Sequence, residues 1–317
     1  MAIKNWNAGF GLFSSGGNWS PDEAPAAGDK LYVPDGAAIL YNETFGSADA
    51  PSSIGLTSGD ASQPSRLIAW NATLENVTLD NAPAVADSTP RHGTFVVAGT
   101  VTNDGGTIEA GRGNLLFPGN RLDIVLAPLS TLINTGTISA TPGNTMDITG
   151  SWGSALENDG RIVAAGGTVT VSSDLTGVGS VDVSSGPPGF GGFLELEAGA
   201  DAGQTVSLSR AALQIDQPAR FLGQVALNPQ NGGGRVTLEG LAAQSWDVSG
   251  NAVEFLDAAG AVVDALRLLT PSDPAALTIY TLPDPTYGTA VALSVGPGFA
   301  PPSSATLLPY HDVAAAA

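Results

Sequence analysis

Cysteine is absent from the 317 residues, which excludes disulfide frameworks, thiolate metal sites and cysteine nucleophiles. Histidine is nearly absent. His92 and His311 lie far apart in the chain, so a metal site built on them would need carboxylate ligands as well. Positive charge is scarce: 11 Lys and Arg against 30 Asp and Glu leave a net charge of −19. That charge repels phosphate backbones and anionic lipid headgroups, so neither nucleic acid nor a membrane is an expected partner. Charged residues of both signs make up only 13% of the chain, against roughly 25% in a typical soluble domain. No stretch approaches the roughly 20 apolar residues of a membrane-spanning helix. No apolar segment of signal-peptide type follows Lys4. The expectation is therefore either export to the cell surface or extracellular space without a cleaved N-terminal signal, or retention until lysis, as for a phage part.

Glycine and proline are abundant instead, at 41 and 22 residues, while 43% of the chain is hydrophobic. Enough apolar surface is available to offset chain entropy, and the Gly and Pro content points to strands and turns in place of helices. Residues 94–101, 168–171 and 203–208 collect β-branched side chains in short runs that end in turn formers. Three segments share one pattern. Asn134-Thr135-Gly136-Thr137-Ile138-Ser139-Ala140 and Asn158-Asp159-Gly160-Arg161-Ile162-Val163-Ala164 match directly. Asn103-Asp104-Gly105-Gly106-Thr107-Ile108-Glu109-Ala110 matches with one extra glycine. The asparagines are 31 and 24 residues apart, a spacing that suits one coil of a parallel β-solenoid, whose coils bury an apolar edge only by stacking. At each corner Asn103, Asn134 and Asn158 are expected to bond backbone groups and stack on one another. Gly105, Gly136 and Gly160 are expected to supply positive φ. A second strand is expected after each copy, at 114–117, 144–149 and 167–172, giving a strand, turn, strand, turn unit.

The run from Leu132-Ile133-Asn134-Thr135-Gly136 through Leu156-Glu157-Asn158-Asp159-Gly160 to Phe221-Leu222-Gly223-Gln224-Val225 resembles the repeat stem of large exported bacterial adhesin-like proteins. The opening Gly17-Asn18-Trp19-Ser20 and Val33-Pro34-Asp35-Gly36 are similar to the first coils of such proteins. The resemblance implies a stem that presents or joins something, and it specifies no activity. Residues 1–45 hold seven of the 20 aromatic residues, among them Trp6, Phe10, Phe13 and Trp19, which reads as a cap over the open end of the solenoid. Residues 46–269 read as the stem, with a hairpin at 252–269. The proline-rich stretch 270–317 reads as a capping or strand-exchanging segment with strands at 277–282 and 289–295. Its Tyr280, Tyr287 and Tyr310 join the N-terminal aromatics as candidate cap or assembly residues.

Chemistry is sparse. Asp22-Glu23 is the one adjacent acidic pair, and Glu195 and Glu197 share a strand face, where the simplest reading is a solvated outer surface. Glycoside hydrolysis needs two carboxylates at a set separation, and no catalytic, cofactor-binding or metal residue is assigned. Calcium is an expected loose ligand of surface Asp, and no cofactor is required. The expectation is an all-β parallel β-helix with a non-enzymatic structural role in a surface fibre, surface layer or biofilm matrix, polymerising through end-to-end β contacts. The competing readings are a trimeric phage tail component and a protein that binds or degrades polysaccharide, with Trp152 and Trp246 as its glycan-stacking candidates.

Overall fold

A computed structural model of the chain describes residues 2–41, 51, 53–56, 62–81, 90–111, 118–227, 232–269, 274–286, 288–296 and 298–311. The predicted strand 114–117 and Tyr287 lie outside these residues. Period-two alternation places every second side chain inside. In Arg121–Leu126, for example, Leu122, Ile124 and Leu126 are buried while the residues between them face out. Successive strands pair in parallel and in register, so inward side chains stack into columns. One runs Phe95, Ile124, Ile148, Val171, Leu196, Ile215, Leu238. Another runs Leu31, Ile54, Leu79, Ile108, Ile138, Ile162, Val181, Val206, Val225. The result is an all-β parallel solenoid of about 8 turns.

Two long sheets of 14 and 13 strands form its principal walls. A third sheet of five strands, from Thr73–Glu75 to Asp174–Thr176, makes the central coils three-sided. The two-strand unit expected from the repeat is thus incomplete in the centre, where the corner asparagines close a third strand such as Thr131–Asn134.

At the N-terminal pole, Ile3–Trp6 and Phe10–Leu12 begin the two long sheets. Trp19 folds back antiparallel on Trp6 and donates its indole N–H to the Phe13 carbonyl at 2.8 Å. Its ring meets Trp6 and Phe13 edge-on, with centroids 5.0 and 5.6 Å away. Lys4 takes the place in its column that Leu31 takes one coil later. It is buried, with its ammonium 3.2 Å from the Glu23 carbonyl.

At the C-terminal pole, parallel coiling gives way to antiparallel hairpins. Ser245–Ser249, Ala252–Leu256 and Val262–Leu268 extend the 14-strand sheet, and Gly288–Val295 with Leu277–Asp284 extends the other. The tail strand Thr306–Leu307 pairs with Leu277–Asp284. Beyond it, the tail crosses to the other sheet, where Trp246 N–H donates to the Pro309 carbonyl and His311 N–H donates to the Trp246 carbonyl. The tail therefore packs on its own chain and ties the ends of both long sheets together.

Candidate functional site

The corner residues form an internal polar column. Asn103 Nδ2 donates to Asn134 Oδ1 at 2.7 Å, and Asn134 Nδ2 donates to Asn158 Oδ1 at 2.8 Å. All three are fully buried. The next coil has Gly177-Val178-Gly179 at this corner, and Gln204 from the coil beyond reaches across it. Its Oε1 accepts from Asn158 Nδ2 at 3.0 Å, and its Nε2 donates to the Asn158 and Thr176 carbonyls. The glycines act differently from expectation. Gly136 and Gly160 do not have positive φ. A Cβ on Gly136 would strike the Gly106 carbonyl oxygen, and one on Gly160 would strike that of Gly136. Close stacking of backbones is what excludes a side chain there. Gly106 is the stacking partner of Gly136, while Gly105 is the position with φ +64, beside Asn76. A second column at another corner was missed: Asn120 Oδ1 accepts from Arg91 N–H and Asn144 Oδ1 from Asn120 N–H, each at 2.9 Å. Its signal was present, since Asn120 and Asn144 each directly precede a strand and repeat the 24-residue interval.

A row of ionisable groups lies on the outer face of the 13-strand sheet. Register aligns Asp123, Asp147, Thr170, Glu195 and Gln214 in one row across five strands. Arg121 occupies one end of it, 2.8 Å from both Asp123 and Asp147. Further along, Gln214 Nε2 bridges Glu195 Oε1 at 3.0 Å and Asp216 Oδ1 at 3.1 Å. Glu197 accepts from Ser172 Oγ at 2.6 Å. Glu195 and Glu197 lie on the outer face, as expected, and are half-buried there by their neighbours. Burial, and then the charges of Asp216, Glu197 and Asp147, push the Glu195 carboxyl above its usual range. Burial with the charges of Glu197 and Asp284 does the same to Asp216, against a hydrogen bond from Gln214. Asp147 is raised mainly by burial, although Arg121 opposes the shift. Among the described residues, no three acidic or histidine side chains converge closely enough to hold a metal ion by themselves.

On the third face, beyond Asp174–Thr176, the wall is indented. A groove of about 330 Å3 is lined by Asp174, Thr176, Asp201 and Arg220, and Arg220 pairs with Asp174 at 2.6 Å. At the nearby corner, Trp152 is 80% exposed, and the adjacent coil brings Leu129 N–H to its carbonyl at 3.1 Å. Trp246 is buried instead, its ring 4.7 Å from that of Tyr310 and its indole N–H on the Leu308 carbonyl. It therefore serves the C-terminal latch and presents no face to a sugar.

The aromatic candidates divide. Trp6, Phe13, Trp19 and Tyr280 are buried inside the poles, whereas Phe10 and Tyr310 are exposed. No protein-family model matches the sequence, and no curated protein matches it.

Proposed function

We propose that the protein is a non-enzymatic structural module of a bacterial surface, similar in kind to the repeat stems of exported adhesin-like proteins, which joins copies of itself end to end. One observation carries this reading. Both poles of the 13-strand sheet end in a short strand with outward apolar side chains: Phe10–Leu12, with Phe10 65% and Leu12 48% exposed, and Thr306–Leu307, with Leu307 64% exposed. Among the described residues, each pole strand is paired on one side only. Strand directions alternate from Gly234–Glu239 through the two hairpin strands to the tail strand, so the N-terminal strand of a second copy would meet that tail strand antiparallel. Such a contact is heterologous and propagates along the axis. It is also short. A few backbone hydrogen bonds, each worth about 1 kcal/mol net, act against the repulsion between subunits of charge −19. Salt that screens this repulsion should therefore favour association. Light scattering and electron microscopy of the purified chain at low and high salt test the reading. Salt-dependent filaments that Phe10→Arg abolishes support it. A monomer under all conditions overturns it, and a closed trimer favours the phage-component reading.

A further inference from the structure

The acidic face holds a feature that end-to-end joining does not use. Glu195, Asp216, Glu239 and Asp284 line one cavity of about 320 Å3 together with Gln214, Pro285 and Thr286. Among the described residues, no lysine or arginine contributes to its wall. The four carboxylates reach it from separate places. Glu195 is in Gly192–Leu196, Asp216 directly follows Ala211–Ile215, Glu239 ends Gly234–Glu239, and Asp284 ends the hairpin strand Leu277–Asp284. Gln214 fixes Glu195 and Asp216 side by side through its amide N–H groups, and Thr286 N–H holds Asp284 Oδ1 at 2.6 Å.

Glu239 is the decisive member. It is 8% exposed, and its Oε2 is buried without a hydrogen-bond partner. A carboxylate oxygen withdrawn from water and given no donor is strongly unfavourable unless the group takes up a proton or a cation neutralises it. Burial and mutual repulsion already hold Glu195 and Asp216 above their usual range, and a positive charge among them relieves both effects.

We propose that this cavity binds a hard divalent cation of the calcium type with part of its hydration water, and that the ion ties the terminal hairpin to the coils beneath. The donors are carboxylate oxygens, with no thiolate and no imidazole, which selects calcium, magnesium or manganese over zinc and copper. The carboxylates surround a space and do not meet at a point. At about 30 Å3 per water, that space accommodates an ion with its first shell, so water bridges part of the coordination. Partial hydration implies weak binding, with a dissociation constant of about 10⁻⁴ to 10⁻³ M, the range of extracellular calcium modules. The site does not depend on the pole strands, so its test and the assembly test fail separately.

The experiment uses the full chain freed of metal by a chelator. Calcium is titrated calorimetrically, and thermal unfolding is followed in calcium chloride and in sodium chloride of equal ionic strength. The expected result is saturable binding and a rise in melting temperature beyond that in sodium chloride. Glu239→Gln should lose that excess. Because it removes a repelling charge, it should melt at or above the wild-type temperature without calcium. If Glu239→Gln fails to fold, the double variant Glu195→Gln with Asp216→Asn decides by the same measure. Asp257→Asn, on a remote exposed turn, should keep the response. Equal effects of the two salts, an unchanged calcium response in the variant, or the same saturable response to an alkyl diamine would overturn the assignment.

Discussion

Asn134 and Gly136 stand two residues apart and stabilise one corner by unrelated means. Asn134 accepts from the coil before it and donates to the coil after it, at 2.7 and 2.8 Å. Asn134→Ala therefore strands the buried Asn158 Oδ1 and leaves Asn103 Nδ2 only its longer bonds to the Gly106 and Thr137 carbonyls, at 3.3 and 3.5 Å, and should reduce unfolding free energy by about 3 kcal/mol. Gly136 has no side-chain bond to lose, but a Cβ there collides with the Gly106 carbonyl of the preceding coil. That carbonyl accepts from Thr137 N–H at 2.9 Å, so it cannot withdraw without breaking a ladder bond. Gly136→Ala should be the more damaging change, above about 4 kcal/mol, the range reserved for strain and overpacking. Urea unfolding followed by circular dichroism ranks the two. A Gly136→Ala protein as stable as the wild type would refute the close-stacking explanation.

At the scale of elements, the first strand is tied down by one carboxylate. Asp29 accepts from Ala2 N–H at 2.7 Å and from Ala26 N–H at 3.1 Å. Burial pushes its carboxyl up, but these two bonds and nearby Lys4 outweigh it, so the group sits below its usual 3.8. A depressed folded-state value means that this stabilisation is complete above the unfolded value and is lost as pH falls through the folded one. Asp29→Asn should therefore lower the melting temperature at neutral pH, with the difference from wild type narrowing below pH about 4. A constant difference down to strong acid would contradict it. The same scale separates what was legible in the sequence from what was not. The stacked coils were legible because Asn, Gly and Ile return at one corner, where backbone spacing and the core both restrict the residue. The third sheet was not, because short strands such as Ala155–Asn158 end on the very asparagine that reads as a turn. The acidic cavity was hidden for another reason. The coil from Phe193 to Ala212 takes 19 residues and the next, to Arg235, takes 23, so cross-coil neighbours cannot be counted off without the register.

The whole molecule is a nearly one-dimensional stack in which each coil is supported mainly by the two beside it. Stability should therefore be greatest where neighbours, polar column and third sheet coincide, and least at the poles. Hydrogen exchange should show its slowest amides between Arg121–Leu126 and Ala211–Ile215, with Ile3–Trp6, Phe10–Leu12 and Thr306–Leu307 exchanging earlier. Uniform protection from pole to pole would mean that the stack unfolds only as a unit. The geometry has a mechanical side as well. Strands lie across the axis and the bonds between coils run along it, so tension between the poles loads every coil junction in series. Phe10–Leu12 meets Ala38–Tyr41 over three residues, whereas His92–Ala98 meets Arg121–Leu126 over six. A stretched molecule would then yield first at its poles, since Thr306–Leu307 meets Leu277–Asp284 over only two residues, and these junctions act as fuses that leave the central column under less load.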